Sequence, residues 1–203
     1  MLSFANKYFE ELRRISAAIN LEAASAAGEA LVQVWREGGR IYVAGNGGSA
    51  STASHLVCDL AKLTITQDMP RLRATSLCDN VPLLTAWSND SSYADVFVQQ
   101  VRDVLKPEDV VICISGSGNS ENVVRLASYA RSQNVQTIGL LGFSGGRIGQ
   151  IVHLPIIIPS TNMQIIEDLH LATCHMLSSV LRVAIGHYAE SGSMVATAED
   201  FMP

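Results

Sequence analysis

Residues 40–62, RIYVAGNGGSASTASHLVCDLAK, change character twice within one short span. RIYVAG (40–45) is an apolar, β-branched run of strand length, and a helical pattern of apolar residues takes over at 49–62. Between them GNGGS (45–49) packs three glycines into four residues, which frees the backbone for positive φ and for close approach to a ligand. Strand, glycine-rich turn and helix form the repeating unit of an open α/β sheet. Ligands of such sheets sit beyond the carboxyl ends of the strands.

Outward from this unit the pattern repeats. RATSL (73–77), VVICIS (110–115), QTIGLLG (136–142) and HLPIIIP (153–159) are further short apolar runs, with helical patterns at 82–105, interrupted at SNDSS (88–92), and at 120–133. Near-continuous apolar strands alternating with helices predict an α/β domain, a doubly wound parallel sheet covered on both faces. Before it, Phe4, Tyr8, Phe9, Leu12, Ile15 and Ile19, then Leu21 to Val34, predict two N-terminal helices broken near Asn20. With no evident partner in that segment, these two are expected to pack on another subunit. A long closing helix is expected over 165–188. The division is one domain over 1–203: a helical segment (1–37), an α/β core (38–190) and a small, polar, loose tail (191–203).

Of the 203 residues 48% are hydrophobic and 16% charged, a composition that excludes disorder. A net charge of -5 without a basic run excludes a nucleic-acid backbone binder, so no direct nucleic acid partner is expected. Cys58, Cys78, Cys113 and Cys174 form no CxxC pair and sit in apolar stretches, as reduced core residues do. The N-terminus does not read as a signal peptide, and no apolar run approaches the roughly 18 residues of a membrane span. The expectation is a cytoplasmic protein with no membrane partner.

A second turn, SGSGNS (115–120), follows VVICI and offers Ser115, Ser117 and Ser120 as hydroxyl donors beside Gly116 and Gly118. Asn119 or Ser120 would cap the helix starting at Glu121, as Ser49 would cap the first. A serine-rich turn at a helix N-terminus cradles phosphate without lysine. Either turn alone is equally explained by tight geometry; two in one domain point to phosphate. The Gly45-Gly47-Ala50 spacing matches a dinucleotide fingerprint, yet the acidic residue expected about 20 positions on is missing, and no Gly-Lys-Ser/Thr occurs. No nucleotide cofactor is expected.

His55 and Asp59 lie four residues apart and share one helix face. The closing helix carries Glu167, Asp168, His170 and His175 within an apolar stretch, where such groups need pairing, ligation or a cavity. His153 and His187 carry no comparable signal.

AGNGGSASTASHLVCDL (44–60), LLTAWSND (83–90), ISGSGNS (114–120) and IEDLHLATCH (166–175) together resemble, in order and spacing, the sugar isomerase (SIS) domain, in particular the phosphoheptose isomerase family. The resemblance implies a three-layer, five-stranded parallel sheet and a homotetramer with active sites between subunits. It implies conversion of sedoheptulose 7-phosphate to a glycero-manno-heptose 7-phosphate, toward lipopolysaccharide heptose, often with zinc. It places Asn46, Gly47, Gly48, Asn89 and Asp90 on the sugar and Ser115, Gly116, Ser117 and Ser120 on the phosphate. His55 and His175 fall on metal-site histidines, and His175 also on a catalytic acid/base.

Two positions depart from the family, which typically has Glu at Asp59 and Gln at Glu167. An aldose–ketose isomerase needs a carboxylate near the substrate, and Asp59 is shorter by one methylene. In one reading Glu167 compensates, as the base or as a zinc ligand with His55, Asp59 and His175. Glu167 and His175 stand about 12 Å apart on a regular helix, so that ligand set needs a wide site, a helix starting after Glu167, or a second subunit. In the other the chemistry has changed, leaving a tetrameric binding module like the DnaA initiator-associating branch, or a sugar-phosphate sensor.

Overall fold

The computed structural model describes residues 1–192. Five parallel strands, β1 (Arg40–Ala44), β2 (Arg73–Ser76), β3 (Val110–Ser115), β4 (Gln136–Gly142) and β5 (Leu154–Ile158), lie in the order β2-β1-β3-β4-β5. Ile41 pairs with both Ala74 and Val110, which sets β1 between its two neighbours. The chain winds one way from β1 to β2 and the other way from β3 onward. The switch point therefore falls between β1 and β3, where open sheets bind ligands.

Alternation along the strands builds the layers. Ile41 and Val43 of β1, with Val110, Ile112 and Ile114 of β3, pack against α2 (Leu21–Glu37), α3 (Gly48–Lys62) and α8 (Met163–Ser191). Their neighbours Tyr42, Ala44, Val111 and Cys113 face the other way, onto α5 (Val98–Val101), α6 (Glu121–Ser132) and α7 (Gly146–Ile151). Both faces of the sheet are thus covered, which is why its strands read as continuous apolar runs.

The break near Asn20 is a cap: the Asn20 side chain accepts from the Ala23 amide at the start of α2. The N-terminal helices differ from expectation in their packing. α2 buries Ala24, Ala27, Leu31, Val34 and Trp35 against the sheet and α8 of its own chain. α1 (Leu2–Ser16) inserts Ile15 beside Ile165, Ile166 and Leu169 of α8, leaving Leu2, Phe4 and Phe9 exposed. The signal lay too far along the chain, because their partner helix is more than 120 residues away.

Other expectations need correction. After α4 (Val81–Asp90) the pattern at 82–105 yields only a 3-10 turn (Tyr93–Asp95) and the single turn of α5. Cys113 and Cys174 are buried, but Cys58 is exposed on α3, off the face that carries Leu56 and Leu60. α8 is long and apolar enough to cross a membrane by length and composition, against the expectation of no such run; half of that window is buried by the rest of the fold. The expected tail from 191 onward falls almost wholly outside the described residues.

Candidate active site

The two turns end adjacent parallel strands, so the fold brings them side by side. Asn46, Gly47, Gly48 and Ser49 from the first, with Ser115, Gly116, Ser117 and Ser120 from the second, line one cavity of about 320 Å³ closed by Met163 and Glu167. Gly47 takes φ 56° at the N-cap of α3, a conformation suited to glycine. Ser49 is therefore not the cap: it lies inside the first helical turn and is buried. Among the described residues no backbone partner is found for the amides of Gly47, Gly48, Ser117 and Ser120.

The serine turn is held internally and from outside. Ser115 Oγ accepts from the Gly118 amide at 3.2 Å and stands 3.4 Å from Ser120 Oγ. Ser120 occupies the N-cap of α6 without a side-chain capping bond and lines the cavity. Asn119 Nδ2 donates to the Ser117 carbonyl, and Asn119 Oδ1 accepts from the Arg147 amide of α7. No lining residue is basic. Among the described residues Glu167 is the only ionisable one that lines it.

Glu167 projects from the first turns of α8 onto the start of α3, so close that a Cβ on Gly48 would lie 2.6 Å from Glu167 Oε2. The amino end of a helix favours a negative charge there. Asn89 and Asp90 are not among the cavity residues: they lie exposed at the end of α4, Asn89 Nδ2 donating to Asp90 Oδ1 at 2.9 Å. From that stretch it is Tyr93 that reaches the site, its hydroxyl donating to Asn46 Oδ1 at 2.8 Å. Tyr93 and the buried Asn122 were missed by sequence reasoning. The signal for Asn122 was an amide on the otherwise apolar face of the 120–133 pattern.

A second cluster forms where α3 packs on α8. His55 Nε2 and His175 Nε2 stand 3.0 Å apart, and Asp59 Oδ2 lies 3.6 Å from the first and 3.8 Å from the second. A tetrahedral zinc with ligand bonds of about 2.0–2.1 Å spaces its donors by roughly 3.4 Å, so two imidazoles and this carboxylate suit such an ion. Glu167 does not join them. α8 is regular from Met163, which sets Glu167 and His175 about 12 Å apart, and the expected four-ligand set is reduced to three within one chain. Burial pushes the neighbouring Cys174 thiol up to about 12, so it offers no thiolate.

Two further groups on α8 have structural partners or none. Asp168 accepts from the Tyr8 hydroxyl of α1 at 2.5 Å, tying the first helix to the last. His170 is 1% exposed, and neither ring nitrogen has a hydrogen-bond partner of proper geometry. Burial pulls its imidazole down to about 4, the Leu141 backbone opposing this to a smaller extent.

Known proteins share the sequence and fold of this chain. The SIS domain family matches residues 7–142. The chain is 37% identical to a protein named probable phosphoheptose isomerase from Thermoplasma volcanium over 174 residues, covering 86% of this chain and 88% of that one. It is 32% identical to a phosphoheptose isomerase of Trichlorobacter lovleyi, covering 95% and 100%. The structure of phosphoheptose isomerase GmhA from Neisseria gonorrhoeae superposes with a TM-score of 0.81 at 28% identity, covering 89% of this chain and 97% of that chain.

Proposed function

The chain belongs to the SIS-domain family, and on that premise we propose that it is a sugar-phosphate aldose–ketose isomerase of the phosphoheptose type. Its substrate would be sedoheptulose 7-phosphate and its product a glycero-manno-heptose 7-phosphate. One observation carries the reading: a cavity walled by free amides and serine hydroxyls holds a single carboxylate, Glu167. The likeness to proteins named phosphoheptose isomerase supports the choice of sugar.

In this mechanism Ser115, Gly116, Ser117 and Ser120 hold the phosphate while Asn46, Gly47 and Gly48 face the sugar. Isomerisation moves one proton from C1 to C2 through an enediol, and one from the C1 oxygen to the C2 oxygen. Glu167, lining the cavity, accepts a proton from C1 and delivers one to C2, its carboxyl exchanging with water during the lifetime of the enediol. His55, Asp59 and His175 would hold a divalent cation such as zinc, which when bound polarises an oxygen beside it. We assign the joining of this cluster, and of Asn89 and Asp90, to the pocket of a neighbouring copy in a homotetramer. There, with no ion bound, the Nε2 of His175 would carry the proton between the two oxygens; with the ion bound that nitrogen serves as its ligand. Four free cysteines fit a cytoplasmic enzyme.

Turnover of sedoheptulose 7-phosphate by the wild type, Glu167→Gln and Asp59→Asn tests the assignment. Glu167→Gln should lower kcat on the order of 100-fold with KM changed only a few-fold. Loss in Asp59→Asn with full activity in Glu167→Gln would transfer the base to Asp59. A wild type that binds the sugar phosphate without converting it would be a sensor instead.

A further inference from the structure

Asn46 does not stand alone in the cavity wall. The Val123 amide donates both to the Ser120 carbonyl and to Asn122 Oδ1, each at 3.0 Å, and because a backbone N–H can only donate, this contact favours oxygen on that side of the Asn122 amide. Asn122 Nδ2 then faces Asn46 Oδ1 at 2.9 Å, and Asn46 Nδ2 returns a bond to Asn122 Oδ1 at 2.9 Å. The Tyr93 hydroxyl supplies the second donor to Asn46 Oδ1. Both acceptor sites of that oxygen are filled. What Asn46 has left is one N–H on Nδ2.

Both supports sit on rigid elements. Asn122 is 2% exposed in the first turn of α6. The turn bearing Tyr93 is pinned to α6 by Arg125, whose guanidinium lies 2.7 Å from Asp95. That contact and the Ser92 and Ser91 hydroxyls hold the Asp95 carboxyl down to about 2. The relay also crosses between the turn after β1 and the helix after β3, joining the two halves of the cavity.

From this polarity relay we infer that Asn122 and Tyr93 are positioning residues which lock Asn46 as a hydrogen-bond donor to the sugar, aimed at an oxygen that gains negative charge as the enediol forms. The inference rests on the isomerase reading for its effect on rate, but not for its effect on binding. A donor that cannot turn round discriminates between a sugar phosphate and phosphate alone, because the phosphate is held by the other turn.

Tyr93→Phe removes one donor from an exposed ring and leaves the fold intact; Asn122→Asp keeps the acceptor for Val123 and withdraws the donor to Asn46. Calorimetry with sedoheptulose 7-phosphate and with inorganic phosphate, beside turnover, reads the result. Tyr93→Phe should weaken sugar-phosphate binding and lower kcat about three- to tenfold while inorganic phosphate affinity stays within twofold. Asn122→Asp should lose more of both, again with phosphate spared. Unchanged sugar-phosphate affinity in Tyr93→Phe, or a parallel loss of inorganic phosphate affinity, would overturn the inference. An inactive wild type that binds the sugar phosphate, with Tyr93→Phe weaker, would sink the isomerase reading and leave this one standing.

Discussion

Gly48 and Glu167 share a space that admits only one of their side chains. A methyl group at 48 meets the end of a flexible carboxylate rather than a wall, and Gly48 is not in the left-handed region, so the backbone accepts alanine. Alanine also costs less chain entropy to fix than glycine does. Gly48→Ala should therefore keep or raise the melting temperature while turnover falls at least tenfold, because Glu167 must swing off the cavity. Thermal melting and a rate assay on the same sample check both halves. At this scale the sequence was informative about chemistry and poor about grouping. His55 and Asp59 could be paired on helical spacing and His175 was joined to them only by the family resemblance, whereas the place of Glu167 depended on where α8 begins relative to α3. Tyr93 and Asn122 were hidden because their hydrogen bonds join residues 47 and 76 positions apart.

The serine turn after β3 is held by its neighbour as much as by its own residues. Gly118 takes φ 66°, and a Cβ there would lie 2.1 Å from the Gly145 carbonyl, with Gly118 O accepting from the Ile148 amide of α7. Here the obstacle is backbone, so nothing yields cheaply. Gly118→Ala should destabilise the protein by roughly 2–3 kcal/mol through left-handed strain and overpacking, and weaken inorganic phosphate binding, as denaturant melts and calorimetry would record. Elements were the most legible scale. β3 and β4 were read to the residue, because buried parallel strands are continuous apolar runs with turn residues at both ends. The stretch after Asp90 was read too long as helix: spacing alone does not reveal that Ser91 and Ser92 turn back to hold Asp95.

As a whole the molecule is a three-layer sheet whose two cores are separated by strand alternation, and that architecture followed from pattern alone. What pattern could not supply was the covering of the N-terminal helices, a contact between the two ends of the chain. The buried His170 ties the stability of this assembly to pH. Its folded value of about 4 lies below the ordinary 6.5, so the unfolded chain binds the extra proton first as pH falls. Its contribution is complete above about 6.5 and is lost toward 4, on the order of 1 kcal/mol per pH unit. His170→Leu should flatten the acid limb of a stability curve measured between pH 7 and 4.5, while an unchanged limb would remove His170 from its cause.

Deuterium reads proton transfer at carbon without relying on net conversion. Incubated with sedoheptulose 7-phosphate in heavy water, the wild type should place deuterium on the carbon next to the carbonyl in recovered sugar phosphate, and Glu167→Gln should place almost none. Bound but unlabelled and unconverted sugar phosphate from the wild type would exclude proton transfer at carbon.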